Sequence, residues 1–456
     1  MKQEPIRVLG GGLVGSLLAV MLRQRGFTVD LYEARPDPRG DEAAGGRSIN
    51  LIVTERGIHA LKSVDLWKTV QTITVPVYGR TMHDVEGEQA YQPYGKDRSE
   101  CNYSVSRGGL NEMLLDAADR AGVTLHFSHR VSKLEVDAAT VHFDVNGESV
   151  SVQGGILFGA DGAGSPMRRD LLAALGEEAD VAMLPHGYKE LEFPPSDDDR
   201  FRMDPESLHI WPRGEYMLMG LPNPDRSFTG TLYLPFDGEP GFNSIQDGDA
   251  LRSFFQQAFP DTLQTIPDLE SDYFANPTGE LGTVRCRRWT DRRRIALIGD
   301  ACHAIVPFFG QGMNSGFEDC TELQRLLEQH DDWEAVLTAY EAERIPNANA
   351  IADLALDNFV EMRERVGDAR FLLAKAFEHQ LEQRYPLEYR SRYSMVVYSR
   401  IPYALCQETG RIQARLRERW CDRYGSVEKF DVEEAMAEVR AELTPFREQH
   451  GISFDY

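Results

Sequence analysis

Ile6-Arg7-Val8-Leu9-Gly10-Gly11-Gly12-Leu13-Val14-Gly15 is the stretch whose reading decides the fold. Ile6 to Leu9 is a short apolar run of the kind that forms a buried parallel strand. Ser16 to Arg25 reads as a helix ended by Gly26, and Thr28-Val29-Asp30-Leu31-Tyr32 as a second strand that stops at Glu33. In the pattern Gly10-x-Gly12-x-x-Gly15, the first glycine permits a tight turn. The second lets a pyrophosphate reach the helix N-terminus, beside Leu13, and the third lets helix and strand pack closely. Glu33 sits where an acid takes the hydroxyls of a ribose. The stretch therefore predicts a Rossmann-like, parallel-sheet α/β domain with a dinucleotide site; the alternative is a glycine-rich turn with no ligand.

Two further stretches repeat the strand-then-glycine theme. In Gly155-Ile-Leu-Phe-Gly159-Ala-Asp161-Gly-Ala-Gly-Ser165-Pro166-Met-Arg168 an apolar run ends in Gly159 and Asp161, and Ser165-Pro166 is a good helix start. In Ile295-Ala-Leu-Ile298-Gly299-Asp300 the same ending recurs, followed by Gly310-Gln-Gly312-Met313-Asn314 and a helical pattern from Phe317 to Leu327. A glycine-rich turn opening a helix aims free N–H groups at one point, which suits an anion or a ring gaining negative charge. Three such endings predict strands that converge on the carboxyl edge of one sheet, where α/β proteins bind ligands.

Composition bounds the rest. The chain has 456 residues, enough for two or three domains. With 73 Asp and Glu against 49 Lys and Arg, the net charge of −24 argues against nucleic acid and anionic membrane as partners. The six cysteines lack metal-binding spacing and read as free thiols of a reducing, cytoplasmic protein, with no metal site. The N-terminal strand leaves no room for a signal peptide, and no apolar run approaches the ~20 residues of a membrane span.

Arg35 to Gly46 reads as a loop, mobile or wrapped over the ligand. Arg47 to Leu51 leads into a helix from Glu55 to Ser63. Val77 to His83 alternates like a strand and carries Arg80, read either as a buried cation or as a surface partner of Asp84 or Glu86. Arg107 stands at the mouth of a helix from Gly109 to Ala121, facing a phosphate or forming a surface ion pair. Thr124–Phe127, Lys133–Val136 and Val141–Val145 read as strands. From Ala182 to Leu281, alternating runs split by Pro and Gly predict an antiparallel sheet. The remainder is mostly helical. The expected division is a discontinuous ligand-binding domain (1–75, 100–181 and 282–330), a second domain (76–99 and 182–281) and a C-terminal helical region (331–456).

The three glycine motifs together resemble those of the class A FAD-dependent monooxygenases. Other stretches are more specific: His186-Gly-Tyr-Lys-Glu-Leu191, Leu208-His-Ile-Trp-Pro212, Asp225-Arg-Ser-Phe-Thr229, Pro307-Phe-Phe-Gly-Gln-Gly-Met-Asn314, Asn358-Phe-Val-Glu-Met362 and Arg392-Tyr-Ser-Met395. These resemble the kynurenine 3-monooxygenase family over nearly the whole chain. Eukaryotic members end in a membrane-anchoring helix, whereas this chain ends in a Glu/Arg-rich helix and Phe454-Asp-Tyr456, like the soluble bacterial form. Phe309 stands where some bacterial members have His, and Tyr233 replaces a pocket Phe.

The resemblance implies non-covalent FAD, reduced by NADPH and oxidised by O2 through a C4a-hydroperoxyflavin that hydroxylates L-kynurenine. It implies that Gly10, Gly12, Leu13, Gly15, Glu33, Arg35, Arg107, Val131, Asp161, Asp300, Gly312, Met313 and Asn314 bind the cofactor. Arg80, Tyr94, Asn358 and Tyr393 would hold the amino-acid end of the substrate, with Met362, Phe308 and Tyr233 lining the pocket. The flavin carries the chemistry, so no catalytic side chain is assigned, and His303 is read as structural. The assembly expected is a monomer or homodimer. The alternatives are a class A hydroxylase of another aromatic, a flavin halogenase or ene-reductase relative, against which the absence of the Trp-x-Trp-x-Ile-Pro motif expected of such halogenases weighs, and a non-enzymatic flavin-binding protein.

Overall fold

The computed structural model describes residues 4–40, 50–362 and 369–454. The latter part of the Arg35–Gly46 loop, the start of Arg47–Leu51 and the terminal Asp455 and Tyr456 lie outside the described residues. The chain divides into two compact units. One comprises 1–73, 105–183 and 282–352; the other comprises 74–104, 184–281 and 353–456.

The first unit is built on a five-stranded parallel sheet. Its order is Ile295–Leu297, Ile156–Gly159, Ile6–Leu9, Val29–Tyr32 and Thr124–His126. Registers align the strand ends: Leu9 pairs with Gly159 and Tyr32, and Gly159 with Leu297. The three glycine endings therefore emerge side by side at the carboxyl edge. The central strand is buried throughout because helices cover the sheet, which is why it reads as an apolar run and not as an alternation. The helix Leu13–Gln24 follows the first ending, and Arg107–Ala121 packs against it. The latter starts two residues earlier than the sequence pattern indicates because Ser106 caps it, accepting from the Gly109 N–H at 3.4 Å. A small antiparallel sheet adds Arg130–Glu135, Thr140–Val145 and Glu148–Gln153. Its third strand is largely solvent-exposed, so no apolar face marked it in the sequence.

The glycines of the first motif sit against backbone. A Cβ on Gly10, whose φ is +117°, would lie 2.2 Å from the Ala160 carbonyl oxygen. One on Gly15 would lie 1.9 Å from the Gly10 oxygen. Val14 fills the space beside Gly299 and Gly316, where added Cβ atoms would come within 3.1 and 2.5 Å of its side chain. The first and third motifs are thus interlocked.

Beneath this junction lies a buried ionic cluster. Asp319, on the helix Gly312–Gln329, accepts from the Gly299 N–H at 3.0 Å and Arg344 Nε at 2.7 Å, and pairs with His303 Nε2 at 2.6 Å. Glu318 accepts from Arg56 Nε and Arg344 Nη1, each at 2.7 Å. Burial works to raise both carboxyls, but the cations around them outweigh it and hold both below the usual range.

The second unit holds a seven-stranded sheet, ordered Gly279–Arg285, Asp180–Phe193, Phe228–Pro235, Met217–Pro222, Ser207–Pro212, Gly79–His83 and Gln89–Pro93. Its pairings among 186–235 are antiparallel, as alternation indicates, whereas Ser207–Pro212 joins Gly79–His83 in parallel because those strands come from distant segments. Gly248–Ala258 and Leu269–Ala275 are helices that the alternating texture of this region concealed. The Asp247 cap and the spacing of Leu251, Phe254, Phe255 and Ala258 are the helical signal there, and these side chains pack on Trp211, Leu218 and Leu232. The C-terminal helices have their own core around Phe377, Leu416, Trp420 and Phe430.

Arg344→Ala would leave Asp319 and Glu318 buried with one cation fewer, at a cost of roughly 3–5 kcal/mol in chemical denaturation. Because both carboxyls are depressed in the fold, their contribution is complete above the ordinary carboxylate range. It is lost as pH falls through their folded values, so acid should destabilise the wild type more steeply than the variant.

Candidate functional site

The expected cofactor residues all lie in the first unit. Gly12 caps the helix Leu13–Gln24 without any side-chain hydrogen bond, and a Cβ added to it would meet nothing within 4 Å. Unlike Gly10 and Gly15, it therefore borders open space at a helix N-terminus, which is what an anionic ligand requires. Glu33 is buried beside it. One carboxylate oxygen accepts from the Gly11 N–H at 2.8 Å; the other accepts from Arg35 N and Nε at 2.9 and 2.8 Å. Burial works to raise this carboxyl, but the Arg35 bonds and the Gly11 amide hold it below the usual range. Of the roughly four lone-pair sites of a carboxylate, about one remains for a hydroxyl donor, on the oxygen facing Gly11. Arg35 thus clamps the acid, a role that its place at a loop entrance did not reveal.

Arg107 is exposed at the first position of its helix and pairs with no carboxylate among the described residues, so the surface ion pair weighed for it does not form. Val131 lies in the small sheet opposite Phe143. Asp161 is committed to a helix start: Ser165 donates to one oxygen, and the Met167 N–H donates to the other at 3.0 Å. Its burial raises the carboxyl. Arg168, quoted in the motif without a role, ties the second strand ending to the third. It donates to the Ala301 oxygen at 3.0 Å and the Ala163 oxygen at 2.7 Å.

Asp300 opens the short helix Asp300–His303 and is half-buried. Gly312, Met313 and Asn314 form the first turn of the helix Gly312–Gln329, whose N-terminal amides have no side-chain cap. The Asn314 side chain is occupied elsewhere. It accepts from Thr54 N at 2.9 Å and donates to the Ile52 and Gly310 oxygens at 2.7 and 2.8 Å, leaving only its backbone for a ligand. His303 is held by Asp319 and stacked on Trp289 at 5.0 Å, a structural arrangement. Phe308 is buried in the turn Pro307–Phe309.

The other expected substrate residues lie in the second unit. Arg80 is 9% exposed. Its Nε donates to Gln92 Oε1 at 2.8 Å, and its Nη2 lies 3.5 Å from Glu361 Oε1. The pairing with Asp84 or Glu86 does not occur. Tyr94 and Tyr393 stack at 5.2 Å, and Asn102 Nδ2 donates to the Tyr393 hydroxyl at 3.0 Å. Burial pushes the Tyr94 phenol up to about 12 and the Tyr393 phenol well above its usual value, so both remain protonated donors. Asn358 and Met362 are buried one helical turn apart, joined by Asn358 Nδ2 and Met362 Sδ at 3.4 Å. Tyr233 is buried in the sheet, 6.4 Å from the Tyr188 ring. Gln92, Asn102 and Glu361 were not found from sequence. Gln92 faces Arg80 only through the hairpin register, and the other two are far away along the chain.

Among the described residues no helix is long and apolar enough to cross a membrane, and no cluster of side chains could hold a metal. A family model described as FAD binding domain matches residues 4–355. A kynurenine 3-monooxygenase of Myxococcus xanthus is 44% identical over 456 residues, covering 99% of this chain and 98% of the relative. Another, of Stenotrophomonas maltophilia, is 42% identical over 449 residues and covers 98% of each chain. Among solved structures, a 2-methyl-3-hydroxypyridine-5-carboxylic acid oxygenase superposes with a TM-score of 0.65 at 18% identity, covering 83% of this chain and 97% of its own. Klebsiella pneumoniae HpxO, complexed with FAD and uric acid, gives 0.64 at 21% identity, covering 84% and 94%. These two share the fold. Near-full-length identity and the common cofactor domain place the sequence relationship beyond the fold: the chain belongs to the kynurenine 3-monooxygenase family.

Proposed function

We propose that the protein hydroxylates L-kynurenine: L-kynurenine, NADPH, H+ and O2 give 3-hydroxy-L-kynurenine, NADP+ and water. The observation that carries this reading is the relationship to enzymes of that name along almost the entire chain. The first unit fits FAD. The open face of Gly12, flanked by Gly10, Leu13 and Gly15, would receive the pyrophosphate; Glu33, clamped by Arg35, would receive a ribose. Arg107 would meet phosphate or flavin, Val131 the adenine through its backbone, and Asp300 the ribityl chain. Asp161 would shape the turn beside them. The uncapped amides of Gly312, Met313 and Asn314 would offset negative charge on the ring. Bound FAD supplies electron transfer from NADPH and the activation of O2.

The protein's own contribution is to bind, orient and desolvate the substrate. Arg80 would take the carboxylate through its guanidinium fork, with Gln92 holding Nε so that the remaining N–H groups are aimed. Asn102 donates to the Tyr393 oxygen and so holds the ring in place, stacked on Tyr94 beside the proposed amino-acid end of the substrate. Tyr94, Asn358, Met362 and Tyr233 would complete a mostly apolar enclosure within the second unit. An aniline-type ring is electron-rich, so no strong base is needed.

Three outcomes test this. L-kynurenine should accelerate NADPH oxidation sharply, with a product 16 mass units heavier; an unaltered rate, or turnover of a simple phenolic acid alone, would move the assignment to another substrate. Gly12→Val should melt like the wild type yet purify without flavin, whereas full FAD occupancy would remove the pyrophosphate assignment. Arg80→Ala should raise the L-kynurenine dissociation constant about 30-fold, on the scale of roughly 2–5 kcal/mol for a lost charge partner, without changing FAD content. Arg80→Lys should recover little.

A further inference from the structure

We infer that Glu361 and Arg80 form a joint receptor for the zwitterionic head of an α-amino acid, with Glu361 taking the ammonium and Arg80 the carboxylate. The inference rests on the proposed substrate reading and adds a specificity determinant to it.

Glu361 lies just beyond the helix Trp333–Val360, three residues after Asn358. Its side chain is 14% exposed, and Arg80 is its one hydrogen-bonding partner among the described residues, at 3.5 Å. That distance is beyond the ordinary 2.7–3.2 Å of an N–H···O bond. A nearly buried carboxylate is thus left with most of its acceptor capacity unused, which is costly unless something else completes it.

The surroundings keep Glu361 ionised without satisfying it. Burial works to raise its carboxyl, but Lys375, Arg80 and Arg392 together hold it below the usual range. Lys375 and Arg392 have carboxylates of their own, Glu378 at 3.5 Å and Asp357 at 3.3 Å. Arg80 differs, because its Nε contact is the neutral Gln92. The loosely joined Arg80–Glu361 pair is therefore a cation and an anion side by side, each with bonding capacity in reserve. An α-amino acid carries the opposite pair of charges on adjacent groups of one carbon. Laid antiparallel on the protein pair, it satisfies both without burying net charge. A carboxylic acid lacking the amine would match Arg80 and bring a second anion against Glu361.

The test uses the flavin-loaded protein and binding, not turnover. Wild type, Glu361→Gln and Glu361→Asp are titrated with L-kynurenine and with its desamino analogue, 3-(2-aminobenzoyl)propanoate, following the flavin spectrum. Wild type should prefer L-kynurenine. Glu361→Gln should weaken L-kynurenine about tenfold or more and leave the analogue unchanged or tighter, with Glu361→Asp in between. Equal losses for both ligands, or for neither, overturn the ammonium assignment alone. If wild type binds the analogue but not L-kynurenine, or binds neither, the substrate reading itself falls. Flavin content and melting temperature identify a variant that fails to fold, in which case Glu361→Asp decides.

Discussion

One buried carboxylate, that of Asp319, holds the end of the third strand in place. It accepts the Gly299 N–H, fixes His303 and is neutralised by Arg344, which also reaches Glu318. Three structural demands meet on this group: the turn after Ile295–Leu297, the orientation of Asp300 at the next helix start, and the placement of the helix Gly312–Gln329. Such a group is tolerable in the interior only because its partners are complete, and that completeness makes the geometry singular.

The glycines of the motifs differ in what surrounds them. Gly10 and Gly15 are required because backbone occupies the place of a side chain, and Gly299 and Gly316 because Val14 does. Gly12 has no such neighbour: a Cβ there would meet nothing within 4 Å. The same contrast separates the acids. Asp161 is spent on a helix start, whereas Glu33, though clamped, keeps one acceptor site unused.

Electrostatics in the second unit turns on local charge. A chain of net charge −24 is a poor long-range attractor for an anion. What recommends Arg80 is its burial, its oriented guanidinium and a carboxylate neighbour that pairs with it only weakly. Desolvation strengthens whatever completes that arrangement.

Some of this was determined by sequence alone. A buried parallel strand must be a continuous apolar run, a close backbone approach must be glycine, and these local necessities made the Gly10, Gly159 and Gly299 endings legible, together with the parallel sheet they serve. The alternating runs of the second unit were legible for the same reason. What only the tertiary structure decided are pairings between residues distant along the chain: Asp319 with Gly299 and Arg344, Arg168 with Ala301, Asn102 with Tyr393, Glu361 with Arg80. The parallel pairing of Ser207–Pro212 with Gly79–His83 belongs with them, as does the use of the Asn314 side chain to hold Thr54. Periodicity and turn chemistry report how a segment meets its immediate neighbours. Which distant side chain completes a buried charge depends on register and packing, and those exist only once the chain has folded.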